Sequence, residues 1–312
     1  MKVLFVGLGS IGKRHLGNML QVSQEMGIEV TVDALRSGNR PLPPEIEQAV
    51  AHQYTQPEEL GRYDIAFITN PTHLHQQTIL ELADKVDAFF IEKPIVDDCT
   101  LDVSALHLDG KKAYVAAPMR WCGAYLELKR QLAQIQPYCA RVICSSYLPD
   151  WRPGVDYRTV YSAHRDMGGG VTIDLIHEWD YLVDLLGQPL ECYNLKGTYS
   201  HLEIDSDDLS VYIARYPNLL AEVHLDYFGR GYRRSIELMC QDGSLVADFG
   251  QGTVTLPSGE TIHCEEPVNQ RYLREMRYFL EYVQGTEMES CNSPQQALKV
   301  LALTQGQALD KR

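Results

Sequence analysis

Three groups of residues in this 312-residue chain have the types and spacing of reaction chemistry. The first is Gly7, Gly9 and Gly12, which give the spacing G-x-G-x-x-G directly after the apolar run Val3-Leu4-Phe5-Val6. A glycine turn between a buried strand and a helix lets the backbone approach a pyrophosphate, which the free N–H groups of the helix then hold. The second is Glu92-Lys93-Pro94, which follows another apolar run at residues 88–91. Lys93 would therefore stand beyond the carboxyl end of a strand, where ligands of open α/β sheets lie, and Pro94 keeps it extended. The third is Asp174 and His177, three apart and just after Gly168-Gly169-Gly170, on one face if the stretch to about Leu186 is helical. A carboxylate beside an imidazole fixes its tautomer and raises its basicity, which suits a general base near neutral pH. The same spacing also fits a histidine held structurally by Asp174 or by Asp180, and Lys93 also reads as a solvated loop charge.

To position these groups the chain needs a parallel sheet, and its first third has the pattern. Strands are expected at residues 2–6, 28–35, 64–69, 88–91 and 112–116, with a helix after the glycine turn and others near 45–52 and up to 83. The tip of the second strand is Arg36-Ser37-Gly38-Asn39-Arg40, and the nearby acid, Asp33, falls inside the strand. An acid at this tip binds ribose hydroxyls, whereas an arginine can take a 2'-phosphate, so NADP(H) is favoured over NAD(H). Arg36 and Arg40 could instead be solvated loop charges. A domain boundary is expected at Ala117-Pro118. Beyond it come a helix at 123–135 and strands at 141–148, 191–199, 209–216, 220–228, 234–240, 244–248 and 253–256. Turns at Pro217-Asn218 and Asp242-Gly243 make hairpins of an antiparallel sheet. Helices are expected at 270–283 and 294–310.

The loop at 151–166 carries Trp151, Arg152, Tyr157, Arg158, Tyr161, His164 and Arg165. Aromatic faces pack on sugar rings and guanidinium groups bind anions bidentately, so the loop is a candidate for substrate recognition. It also fits a lid or a subunit contact held by cation–π packing. A formal net charge of −14 argues against binding nucleic acid or an anionic membrane. The eight cysteines lack any C-x-x-C pair and read as reduced thiols of a cytoplasmic protein. The apolar start is broken by glycine after Val6, too short for a signal peptide, and nothing suggests a metal.

Together, G-L-G-S-I-G, then N-P-T-H-L-H and E-K-P after successive strands, then G-G-G-V-T-I-D-L-I-H-E-W-D, resemble the glucose-fructose oxidoreductase and inositol dehydrogenase (Gfo/Idh/MocA) family over nearly the whole chain. The resemblance implies an α/β Rossmann dinucleotide-binding domain at 1–117. An α+β domain at 118–312, with a large mostly antiparallel sheet, would bind substrate and form a homo-oligomer. It implies NAD(P)-dependent transfer of hydride to or from a hydroxyl-bearing carbon of a sugar or sugar derivative, and Arg120, Arg152 and Arg158 point to one that bears an anionic group. Cofactor contacts would come from Gly7, Gly9, Ser10, Ile11 and Gly12, from Arg36, Ser37 and Arg40, from Thr69, Asn70, Pro71 and His75, and from Glu92 and Lys93. Substrate contacts would come from Arg120, Trp121, Trp151, Tyr157, Arg158 and His177. In the expected mechanism the substrate hydroxyl lies between Lys93 and His177, His177 takes its proton, and Asp174 orients the imidazole. Many family members place the aspartate four residues before the histidine, one more than here. A sensor that binds dinucleotide without turning it over is the alternative, disfavoured by the presence together of Lys93, Asp174 and His177.

Overall fold

The structure, a computed structural model, describes residues 1–38, 40–286 and 289–306. The chain divides into two compact units, Met1–Pro118 with Asn269–Leu298, and Met119–Val268 with the segment from Lys299 onward. The expected division at 117 and 118 therefore differs in the C-terminal part, where 269–298 returns to the first unit. An amphipathic pattern shows that a helix has a face to bury, but not which sheet it covers.

In the first unit the elements are β1 (Lys2–Val6), α1 (Ser10–Glu25), β2 (Thr31–Leu35), α2 (Pro44–Ala49), β3 (His52–Tyr54), β4 (Tyr63–Ile68), α3 (His75–Leu82), β5 (Val86–Ile91) and β6 (Lys112–Val115). All six strands are parallel, in the order β3-β2-β1-β4-β5-β6. The order reverses at β1, so the crevice beyond β1 and β4 is the switch point where such sheets bind ligands. β3 occupies residues expected to end or follow a helix, and β2 begins three residues later than expected, at Thr31. The core is a row of rings in register across four strands, Phe5, Phe67, Phe90 and Tyr114, with successive centroids 4.4, 5.0 and 5.5 Å apart. Helix α7 (Asn269–Gln284) covers this row, setting Phe279 edge-on to Phe67 and Phe90. Glu275 on α7 accepts the Tyr114 hydroxyl at 2.9 Å and the Ala117 N–H at 2.6 Å, which fixes the end of β6.

The second unit is built on an eight-stranded sheet in the order β14-β13-β12-β11-β7-β10-β9-β8. Its strands are β7 (Cys139–Tyr147), β8 (Glu191–Gly197), β9 (Leu209–Arg215), β10 (Leu220–Asp226), β11 (Phe228–Cys240), β12 (Gly243–Asp248), β13 (Thr253–Thr255) and β14 (Thr261–His263). Every neighbouring pair is antiparallel except β7 with β10. The helices of this unit are α4 (Gly123–Leu132), α5 (Val171–Asp174) and α6 (His177–Leu186). The single helix expected from the triple glycine to Leu186 is thus two, broken at Leu175-Ile176. The last helix, α8 (Pro294–Thr304), begins as expected at Pro294, and the 307–310 part of that expectation lies outside the described residues. Among the described residues no helix is long and apolar enough to cross a membrane.

Candidate active site

The five expected residues of the glycine turn come together at the start of α1. Gly7 has φ +87, a conformation L side chains rarely adopt, and its N–H donates to Leu35 O at 3.0 Å. A Cβ on Gly12 would lie 2.4 Å from the Gly7 carbonyl oxygen and 2.7 Å from Thr69 Oγ1, so the helix rests directly on the turn. Thr69 locks it from the other side, its hydroxyl lying 2.6 Å from Gly7 O. Gly9 is the N-cap residue, with no side-chain cap and no atom within 4 Å of where its Cβ would be. Ser10 and Ile11 then open a sixteen-residue helix with no acidic residue in its first turn. Uncapped N–H groups beside open space fit a pyrophosphate.

The other nucleotide-side residues divide. Lys93 stands beyond the end of β5, joined to Pro94 by a cis peptide. Asn70 follows Thr69 and donates to Thr78 Oγ1 at 2.8 Å, and Pro71 precedes a short turn into α3. His75 and Glu92, both expected as cofactor contacts, are instead buried struts. The His75 ring lies 2.9 Å from Asn70 O through Nε2 and 3.1 Å from Ile95 O through Nδ1. Burial lowers its pKa, so the ring is neutral and donates to one of these carbonyls at a time. The Glu92 carboxylate lies 2.5 Å from His15 Nε2 through Oε1 and accepts the Lys93 N–H at 3.1 Å through Oε2. Burial alone would raise its pKa, but His15 and Lys93 outweigh it and hold Glu92 below the ordinary carboxylate range.

At the tip of β2, Arg36 donates to Gln53 Oε1 at 2.5 Å and to the Arg40 carbonyl, which fixes its guanidinium, and Ser37 follows it in the loop. Asn39 lies outside the described residues. Asp33 is fully buried within the strand, accepting Tyr63 Oη at 2.8 Å, with His52 Nδ1 at 3.0 Å and Lys2 Nζ at 3.3 Å. Burial would raise its pKa, but these three partners outweigh it and lower it. A carboxylate lowered in the folded state stabilises the fold above its unfolded pKa of about 3.9, and that stability is lost as pH falls through the folded value. Denaturant midpoints should therefore fall more steeply between about pH 5 and 3 in the parent protein than in Tyr63→Phe, which has lost one of the lowering contacts. Superimposable pH profiles would remove Asp33 from the acid-labile groups.

In the second unit the triple glycine has a packing reason. A Cβ on Gly169 would lie 2.1 Å from Tyr161 O, and one on Gly170 2.4 Å from Asp207 Oδ1. Asp207 caps α5, accepting the Thr172 N–H at 2.9 Å and its hydroxyl at 2.6 Å. Asp174 ends α5 and accepts two tyrosine hydroxyls, Tyr161 at 2.6 Å on Oδ1 and Tyr227 at 2.5 Å on Oδ2. Burial and the Asp174 charge raise both phenol pKa values, so both stay donors. Trp151 packs edge-on against Tyr227 at 5.2 Å and Arg152 lies over Tyr161 at 5.9 Å. Asp174 thereby anchors the loop that carries Trp151 and Arg152, and these line a small cavity with Val155 and Tyr157. His177, half-buried, starts α6. Asp174 and His177 thus lie on two helices, since tertiary contacts override the helix propensity of this run.

Two expected substrate arginines have other work. Arg120 is buried, donating to Asp180 at 2.9 and 2.7 Å and to Asp184 at 3.1 Å, so Asp180 is held by Arg120. Arg158 is exposed and pairs with Asp156 at 2.8 Å and Glu203 at 2.7 Å. Trp121 is half-buried in the turn before α4, and the Tyr157 hydroxyl accepts the Glu203 N–H at 3.2 Å. Sequence reasoning missed His15, Asp207 and Tyr227. His15 had a signal, since Gly12, His15, Leu16 and Met19 fall on one helical stripe and a polar residue on a buried stripe needs a partner.

Residues 1–115 match the family described as oxidoreductase family, NAD-binding Rossmann fold (GFO_IDH_MocA). Over these residues the chain is similar to the NAD-binding Rossmann domain of the Gfo/Idh/MocA oxidoreductases. Solved dehydrogenases share its fold over nearly its whole length. A probable dehydrogenase from Thermotoga maritima is 20% identical with a TM-score of 0.76, over 98% of this chain and 95% of that one. Levoglucosan dehydrogenase, solved with NADH and levoglucosan, is 15% identical with a TM-score of 0.80, again over 98% and 95%. The WlbA dehydrogenase from Bordetella pertussis, solved with NADH and UDP-GlcNAcA, is 19% identical with a TM-score of 0.76, over 98% and 94%. No curated protein sequence matches the chain at a significant level.

Proposed function

We propose that this Gfo/Idh/MocA-type protein is a nicotinamide-dependent dehydrogenase or reductase acting on the CH–OH carbon of a sugar or sugar derivative. The observation that carries the reading is the uncapped start of α1 with open space at Gly9, a cradle that fits a dinucleotide pyrophosphate. When bound, the dinucleotide supplies the hydride acceptor or donor. The amides of the turn hold its phosphates. Lys93 is the cation that stabilises the negative charge growing on the substrate oxygen, and His177 is the base that takes the hydroxyl proton. Asp174 steadies the substrate loop through Tyr161 and Tyr227.

The aromatic residues Trp151 and Tyr157 offer faces to a sugar ring. Because Arg120 and Arg158 are already paired with carboxylates, an anionic group on the substrate would be met by Arg152. For the cofactor, two of the solved dehydrogenases named above hold NADH. In this chain Asp33 is locked inside β2 and Arg36 stands at its tip, which favours a 2'-phosphate and hence NADP(H). Fluorescence titration should show tighter binding of NADPH than of NADH, with the gap closing in Arg36→Ala. Equal affinities in the parent protein would refute the preference.

The reading includes a homo-oligomer formed on the second sheet, where Tyr193 and Leu195 on β8 and Ile213 on β9 are exposed on one face. Light scattering should give a mass above one chain, reduced in Leu195→Lys, and a monomeric parent would overturn it. Eight free thiols support a reducing, cytoplasmic setting. Turnover of uronates, amino sugars and nucleotide sugars with both cofactors tests the proposal as a whole. Tight dinucleotide binding with no turnover across that screen would favour the sensor.

A further inference from the structure

His15 is a titratable group that neither phosphate binding nor the proposed chemistry uses. It is wholly buried on α1, one turn after Gly12, with its ring 4.7 Å from Phe90 and 6.1 Å from Tyr272. An imidazole in an aromatic core is costly unless it is hydrogen-bonded. Its Nε2 lies 2.5 Å from Glu92 Oε1, and its Nδ1 is buried with no partner among the described residues. The carboxylate can only accept, so Nε2 carries the proton. The geometry therefore makes Nε2 the ring nitrogen that donates to Glu92, with Nδ1 facing no partner among the described residues.

The other oxygen of Glu92 receives the backbone N–H of Lys93 at 3.1 Å. Helix α1, His15, Glu92 and the peptide of Lys93 thus form one hydrogen-bonded chain running from the glycine turn to the lysine. We infer that His15 is a positioning residue: through Glu92 it fixes the Lys93 backbone, and so the origin of the Lys93 side chain. Without the imidazole donor, Glu92 would be a buried carboxylate lacking one of its lowering partners. It would take up a proton or rotate, and the Lys93 peptide would lose its anchor. The inference rests on the reading of Lys93 as the group that meets the substrate oxygen.

His15→Leu and His15→Gln test it together, because the glutamine amide can place an N–H where the imidazole Nε2–H stands and leucine cannot. Displacing a reacting group by about 1 Å costs about 100-fold in rate, so kcat should fall about 10- to 100-fold in His15→Leu. Glutamine should recover it to within about threefold of the parent, and the dinucleotide Kd should stay within about twofold in both. Amide hydrogen exchange at Lys93 should quicken in the leucine variant and not in the glutamine one. A purely structural role would follow stability instead, and leucine is the better core residue. In the parent protein, nitrogen NMR of the His15 ring should report a proton on Nε2. An Nδ1–H tautomer, or unchanged Lys93 exchange and kcat in His15→Leu, would overturn the inference. A parent protein that turns over no substrate would defeat the catalytic reading of Lys93, while Lys93 exchange would still decide whether His15 holds it.

Discussion

Lys93→Met is expected to lower turnover by about 10²- to 10⁴-fold while leaving dinucleotide affinity within about twofold, and His177→Ala to do the same. The two effects separate because the phosphates would be held by the start of α1, whereas Lys93 lies beyond β5 and His177 at the start of α6. Methionine preserves the length of the lysine side chain without its charge, so the loss reads the cation and not the packing. Asp174→Asn should fall between parent and His177→Ala. An amide keeps one acceptor oxygen, so one of Tyr161 and Tyr227 would lose its bond, and the loop bearing Trp151 and Arg152 would loosen. Part of that loss should appear in KM, since the loop is proposed to contact substrate. Steady-state kinetics beside fluorescence titration would measure both. Undiminished turnover in His177→Ala would remove it from the mechanism.

The first unit was legible where its strands are long and covered on both faces. Residues 3–6 and 88–91 read as continuous apolar runs, and 64–69 as a buried strand around 65–68, because a parallel sheet buries both sides of each strand. The three-residue edge strand β3 has no such run, and the helix expected near 45–52 overlaps its first residue, His52. Helix α7 was legible as a helix with nearly its observed bounds, but its partner was not. Met276, Phe279 and Leu280 mark an apolar stripe, and the sequence does not state that Phe67 and Phe90 wait beneath it.

Within the candidate site, the sequence exposed residue types and hid their partners. Arg120 and Arg158 look like free cations in a linear reading, and only the fold brings Asp180, Asp184 and Glu203 to them. The triple glycine looks like a catalytic signature, yet two of its members are glycines because Tyr161 O and the Asp207 carboxylate occupy the places of their Cβ atoms. Asp174 and His177 were placed on one helical face by their spacing, and the break at Leu175-Ile176 separates them into two helices. The family resemblance implies Glu92 as a cofactor contact, but its carboxylate turns inward to His15. Spacing along a chain carries local geometry, and the partners of Arg120, Gly170 and Glu92 come from residues distant in sequence.

The glycine turn gives the other large expected effect, and it splits cleanly between two positions. Gly9→Ala should leave the fold nearly unchanged, since no atom lies within 4 Å of the new methyl and φ −70 suits any residue. An alanine N-cap costs about 1 kcal/mol or less relative to glycine. Yet its methyl would stand where the pyrophosphate is proposed to pass, and overpacking of about 1–3 kcal/mol there would weaken dinucleotide binding about 5- to 150-fold. Gly12→Ala would set a methyl 2.4 Å from the Gly7 carbonyl oxygen and 2.7 Å from Thr69 Oγ1, so α1 must move off the turn. The threonine hydroxyl can rotate away, but the carbonyl belongs to a backbone pinned by Gly7 N–H to Leu35 O and cannot. Gly12→Ala should therefore lower the unfolding midpoint and abolish measurable binding together. Thermal unfolding with NADPH and NADH titrations would distinguish the two variants. Parent-like affinity in a folded Gly9→Ala protein would mean that the open space at Gly9 is not where the dinucleotide lies.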